Sequence, residues 1–143
     1  MRSCVDREVS AMGRDAGMGS YPLVAFVAAT NVDRAKDFYG NRLGLRLTLE
    51  NLPFALFYDA NGVSLHVQLV REMKPAPYTV LGWDVQDIAR TIADLAEVGI
   101  KPERFTGLEQ DELGVWISPT SKAKVAWFKD PDGNVLSIAE FPR

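Results

Sequence analysis

Two residue types that build metal and redox sites are nearly missing from this chain. It has one cysteine, Cys4, and one histidine, His66. A single thiol closes no intrachain disulfide and forms no thiolate metal cage, so a cytoplasmic location is the default expectation. A single imidazole cannot supply the two histidines that, with one carboxylate, hold the iron of a non-haem oxygenase. Basic residues are not in excess. The formal net charge of −3 and pI near 5.2 argue against a clustered positive face for nucleic acid. No apolar run approaches the roughly 20 residues that cross a bilayer, and residues 1–20 lack the apolar centre of a signal peptide.

What remains is ordinary for a soluble globular chain: 143 residues, 47% apolar and 24% charged. That length fits one domain, or two half-size modules sharing a core. The second possibility is favoured by a repeat. Asp130-Pro131-Asp132-Gly133-Asn134 follows the apolar run Val125 to Phe128 and precedes the alternating run Val135 to Glu140. A weaker copy lies 71 residues upstream, where Asp59-Ala60-Asn61-Gly62 joins Phe54–Tyr58 to Val63–Leu69. Proline presets φ at the second turn position, aspartate bonds its own backbone at the first, and glycine accepts the last. A repeated strand–turn–strand unit points to two copies of one module.

The rest of the chain fits that reading. Residues 1–20 show no sustained period and read as a flexible N-terminal arm before a domain spanning 21–143. Leu23–Ala29 reads as a strand, Asn31 caps a helix to about Arg42, and Gly44 stops it. Strands follow at Leu45–Glu50, Phe54–Asp59 and Val63–Leu69, completing module 1 over residues 21–72. The order then recurs over residues 78–141. Thr79–Val85 is a strand, and Asp87 caps a helix with Ile88, Ile92, Leu95 and Val98 on its apolar stripe. Gly99 closes that helix. Gly107–Gly114 is an acidic loop, and Val115–Ser118, Val125–Lys129 and Val135–Phe141 are three more strands. The fold class is α+β: two tandem β-α-β-β-β modules.

Val32-Asp33-Arg34-Ala35-Lys36-Asp37-Phe38-Tyr39 before Leu43-Gly44-Leu45, together with the late Asp-Pro-Asp-Gly-Asn turn, resembles the vicinal oxygen chelate superfamily. That group includes glyoxalase I, bleomycin-resistance proteins and extradiol dioxygenases. The resemblance covers residues 21–141. It implies paired modules curled into a half-open mixed-sheet barrel around a cleft, often as a homodimer. Metal-dependent members hold a divalent ion with four side chains, one from the first and one from the last strand of each module. Carried onto this chain, those positions are Val24, His66, Val80 and Ser137. Valine has no lone pair to offer and a neutral serine hydroxyl is a poor ligand, so His66 alone matches. The expectation is no cofactor. The alternative is a divalent metal ion on a relocated set of His66, Gln68 and Asp84.

Alternation across the strands then lists the cleft lining. Val24 and Phe26 share a face of the first strand, with Ser64, His66 and Gln68 on the fourth. Val80 and Asp84 share a face of the fifth, with Ser137 on the last. An apolar floor with a few polar points is the profile of a pocket for a small organic molecule. Bland roles compete for several of these residues. His66 also reads as a strand histidine bonded to Ser64, Gln68 or a carbonyl, and Asp84 as the partner of a lysine or arginine. Trp83 reads as core beneath a helix, because its alternation opposes Asp84. Trp116 and Trp127 fit either face. Phe38 and Tyr39 read as helix–sheet packing, and the late turn as purely structural. The leading functional expectation is a metal-free small-molecule-binding (sequestering) protein resembling the bleomycin-resistance branch. The alternatives are a glyoxalase-like lyase or isomerase, with an atypical metal site or with His66 as its acid or base, and an inert dimeric scaffold. A homodimer is expected in each case, since exposed module edges favour a symmetric partner.

Overall fold

The computed structural model describes residues 17–143. Most of the expected N-terminal arm therefore lies outside the described residues. Strand β1 (Val24–Ala29) leads into the short helix α1 (Val32–Ala35). Asn31 caps it as the sequence suggests, its side-chain oxygen accepting from the Arg34 N–H at 2.9 Å. The chain then widens into π-helical turns over Lys36–Arg42, where the pattern alone reads as plain α-helix. Phe38 and Tyr39 both turn inward there, with ring centroids 5.0 Å apart. Gly44, at φ +76°, stops the element in the left-handed region that only glycine adopts freely.

Strands β2 (Arg46–Asn51), β3 (Ala55–Ala60) and β4 (Val63–Leu69) complete the first sheet, ordered β1-β4-β3-β2. Strands β5 (Thr79–Asp84), β6 (Trp116–Ile117), β7 (Lys124–Lys129) and β8 (Val135–Glu140) build the second, ordered β5-β8-β7-β6. β1 runs parallel to β4 and β5 parallel to β8, while the other pairs are antiparallel. The same order twice is the tandem repeat that the turns foreshadowed. β6 is shorter than the expected Val115–Ser118. Val115 is withdrawn from the ladder because its N–H goes to the Asp111 carboxylate at 2.9 Å and its carbonyl to the Asp111 N–H.

Helix α2 (Ile88–Glu97) follows β5. Ile88 and Ile92 are buried, and Leu95 packs against the core. Val98 departs from the expected stripe: it is the C-cap, where the backbone leaves the helical path, and its side chain is exposed. Asp87 accepts from the Arg90 N–H at 3.0 Å, while Glu140 of β8 accepts from the Ile88 N–H at 2.9 Å. Asp87→Ala is expected to lower stability by about 1 kcal/mol in a denaturant titration. An unchanged midpoint would mean that Glu140 alone secures this helix start.

One core joins the two sheets on their helix side. Phe38 of the first module lies 6.5 Å from Phe128 of β7, which stacks on Trp83 of β5 at 6.3 Å. Tyr39 and Tyr58 add a further ring contact at 6.4 Å. Trp83 is thus a core residue, as its alternation suggested. Both sheets turn one face to this shared core, and β1 abuts β5.

A polar seam runs beside that core, and here the sequence reading was incomplete. Asp130 and Asn134 are buried at 5% and 4% exposure. Asp130 Oδ1 accepts from the Asp132 and Asn134 N–H groups, both at 2.9 Å. Its Oδ2 accepts from the Tyr39 hydroxyl at 2.6 Å and the Asn134 side-chain amide at 2.8 Å. That amide also donates to the Ala28 carbonyl of β1 at 2.9 Å, and the Thr30 N–H donates to Asp132 at 3.2 Å. Turn geometry therefore does not account for every residue of Asp130–Asn134: the carboxylate and amides also tie module 2 to module 1. Tyr39, expected only to pack, supplies a donor to this seam. Burial first, and the neighbouring Asp130 charge second, push the Tyr39 phenol far above its ordinary range.

Candidate functional site

The face turned away from the helices is built from alternate residues of the central strands. His66 in β4 sits between Phe57 of β3 and Phe26 of β1, its register partners on either side. The Phe57 ring stacks on the imidazole at 3.9 Å with an interplanar angle of 14°, and Phe26 meets it edge-on at 5.1 Å. Ser64 Oγ lies 3.1 Å from His66 Nε2, two residues along the same face. This bond is one of the bland roles the sequence offered for His66. Val24, Phe26, Ser64 and Gln68 take the alternation expected of them, with Phe26 52% and Val24 40% exposed.

The second sheet departs from the sequence reading at one strand. β5 shifts register between Thr79 and Leu81, a bulge that places an extra residue against β8. Val80 packs against the core cluster as a result. Thr79 turns outward in its place, its hydroxyl accepting from Trp127 Nε1 at 3.1 Å. Beyond the bulge the alternation resumes. Gly82 pairs with Ser137, and a Cβ on Gly82 would stand 2.8 Å from Ser137 Oγ, so no larger residue fits without displacing that hydroxyl. Asp84 sits at the rim, exposed, in an ion pair with Arg143 at 2.8 Å. The structure thus gathers Phe26, Ser64 and His66 tightly, keeps Ser137 on the face, moves Val80 off it and leaves Asp84 at its edge.

Trp127 is flanked by the buried Ala126 and Phe128, which resolves its open assignment: it points away from the core. Its ring lies 6.1 Å from Trp116 and 5.6 Å, edge to face, from Phe105. The sequence reading missed Phe57 and Phe105. Phe57 carried a usable signal, lying between residues that alternation sends inward, Leu56 and Tyr58, but its pairing with His66 needed the register. Phe105 sits in an irregular segment with no periodicity to read. The acidic stretch beside Trp116 is more fixed than a solvated loop. Arg104 Nη2 donates to the carbonyls of Asp111 and Glu112 at 2.8 and 2.9 Å. A hollow of about 330 Å³ lies there, lined by Glu109, Gln110, Asp111, Val115, Trp116 and Ile117.

Few of these side chains are donors that a divalent ion prefers. Of the four family positions, two are valines, one of them turned into the core, and a third is a serine hydroxyl. His66 Nε2 is already engaged by Ser64, and the Asp84 carboxylate by Arg143. Among the described residues no three of His, Cys, Asp and Glu form a metal-binding group. The site offers aromatic faces, with a few hydroxyls between them.

The model of the Glyoxalase/Bleomycin resistance protein/Dioxygenase superfamily matches residues 23–138. No curated protein matches the chain. Among solved structures, it is similar to a member of that superfamily from Sphaerobacter thermophilus, at 23% identity and TM-score 0.65, covering 84% of this chain and 96% of that one. A lactoylglutathione lyase from Agrobacterium tumefaciens is similar at 16% identity and TM-score 0.64, covering 85% and 93%. A genomically encoded fosfomycin resistance protein from Listeria monocytogenes follows at 9% identity and TM-score 0.66, again covering 85% and 93%. At such identities the likeness is one of fold.

Proposed function

This chain belongs to the glyoxalase/bleomycin resistance protein/dioxygenase superfamily, and within it we propose that the protein captures a small organic molecule without a metal. The observation that carries this reading is the donor set: beside His66, where a divalent ion would need converging lone pairs, Val24 offers none, Val80 is turned into the core, and Ser137 and Thr79 bring only neutral hydroxyls. Capture needs shape and contact area and no bond-making group, and the outward face of the two sheets supplies aromatic area. On the same reading the protein is a cytoplasmic homodimer. Leu49 and Ile117 lie half exposed on the edge strands β2 and β6, where a second copy would cover them.

The test is elemental analysis after exhaustive dialysis, paired with thermal unfolding in the presence of candidate compounds. The expected result is no stoichiometric metal, with a raised midpoint for a true ligand. A ligand at 100 times its Kd adds about 2.7 kcal/mol. About one transition metal per chain surviving dialysis would overturn the reading. The lyase or isomerase alternative has its own signature: turnover that His66→Ala abolishes while the fold persists.

A further inference from the structure

The polar groups on this face are largely spoken for, and that narrows what it can recognise. Trp127 spends its one N–H on Thr79, and His66 Nε2 is bonded to Ser64. Asp59 and Asp84 are paired with Arg46 at 3.6 Å and Arg143 at 2.8 Å. A ligand read at these groups would have to break these contacts, which leaves Gln68 and Lys129, exposed on the same alternation, as the polar groups of the face without a contact among the described residues. The π faces carry no such prior engagement on their open sides.

The small residues lie beside Trp127. Its register partner on β8 is Ser137, and Ser137's partner on β5 is Gly82. Neighbouring strands are about 4.8 Å apart, so these two positions make a low strip roughly 10 Å wide next to the indole. That width suits a fused two-ring system lying against the tryptophan. Trp116 and Phe105 back the indole on its other side and hold it in place, with the Thr79 bond fixing its rotation. In the first sheet the matching register row holds Phe57, His66 and Phe26, so that half is already filled by rings.

Resting on the capture reading above, we infer that the ligand class is a planar aromatic molecule, held by stacking on Trp127 over the Ser137–Gly82 strip. Stacking on an indole is tolerant of substituents but not of ring saturation, because a puckered ring loses the flat contact and the quadrupole match.

Two neutral probes of the same size separate flatness from mere apolarity: 2-naphthalenemethanol and its fully saturated decahydro counterpart. Each is titrated into the full-length protein, with indole fluorescence and the ring-proton resonances of the only histidine as readouts. The flat probe should bind at least about tenfold more tightly, and Trp127→Leu should remove about that factor while leaving the saturated probe unchanged. Trp116→Leu is the second variant, should Trp127→Leu fail to fold; it should weaken the flat probe alone. Equal affinity for the two probes, or no binding of the flat one, overturns the inference. A fragment library read by the same histidine resonances then decides the wider reading. Saturated or strongly polar hits would leave small-molecule capture standing with a different ligand class, whereas no hit of any kind would remove both.

Discussion

Asp130→Ala is expected to destabilise the protein by about 3–5 kcal/mol, the largest effect of any single polar substitution. The carboxylate accepts four hydrogen bonds at 5% exposure. Its removal strands the Tyr39 hydroxyl, one proton of the Asn134 amide and two backbone N–H groups. Each orphaned buried donor costs about 1–3 kcal/mol, partly recovered where water can enter. Tyr39→Phe removes one donor and should cost about 1–2 kcal/mol. Combining the two should cost less than their sum, since both remove the Tyr39–Asp130 bond. Alkaline titration adds an independent reading. The Tyr39 phenol is raised above its ordinary value of 10.0, so the folded chain keeps a proton that the unfolded chain releases. That stability is present below pH 10 and declines as pH rises above it, and Tyr39→Phe should flatten this part of the alkaline limb. A loss under about 1 kcal/mol for Asp130→Ala would show the seam to be incidental.

Phe128→Ala should cost a similar 3–5 kcal/mol for a different reason. Phe128 is 3% exposed and lies between Phe38 of one module and Trp83 of the other. Truncation opens a void at the junction that neither module can close alone. Unfolding followed by far-ultraviolet dichroism and by tryptophan fluorescence should remain one coincident transition, shifted down by about 8–15 °C for a domain of this size. Two separated transitions, with the second sheet melting first, would mean that the modules are independent folding units. The shared core would then be mere contact.

Local chemistry explains why much of this architecture could be read from the chain. Asn31 and Asp87 cap helices through their own side chains, Gly44 and Gly99 close them at positive φ, and both turns recur at matched places. Each signal is complete within a few residues. Alternation likewise placed Phe26, Ser64, His66 and Trp83 on their correct faces, since period two needs no knowledge of partners. Val98 and Val115 were lost to local caps and turns, but the failures that shape the site are non-local. Val80 left the expected face because a bulge depends on how β5 meets β8. The Phe57–His66 stack depends on the register of β3 against β4. Tyr39 and Asp130 are 91 residues apart, and nothing near either one announces the other.

The Tyr39–Asp130 contact breaks the symmetry that the repeat would otherwise impose. Tyr39 stands eight residues past Asn31; the position eight past Asp87 is Leu95, which has no hydroxyl to give. Asp59, at the place matching Asp130, is instead bound to Arg46 at the surface. The bond is therefore made once, in one direction. An ancestral duplication could begin with two identical halves, but these halves have since diverged at this bond: a chain made by doubling module 2 would have Leu95 where the phenol must stand.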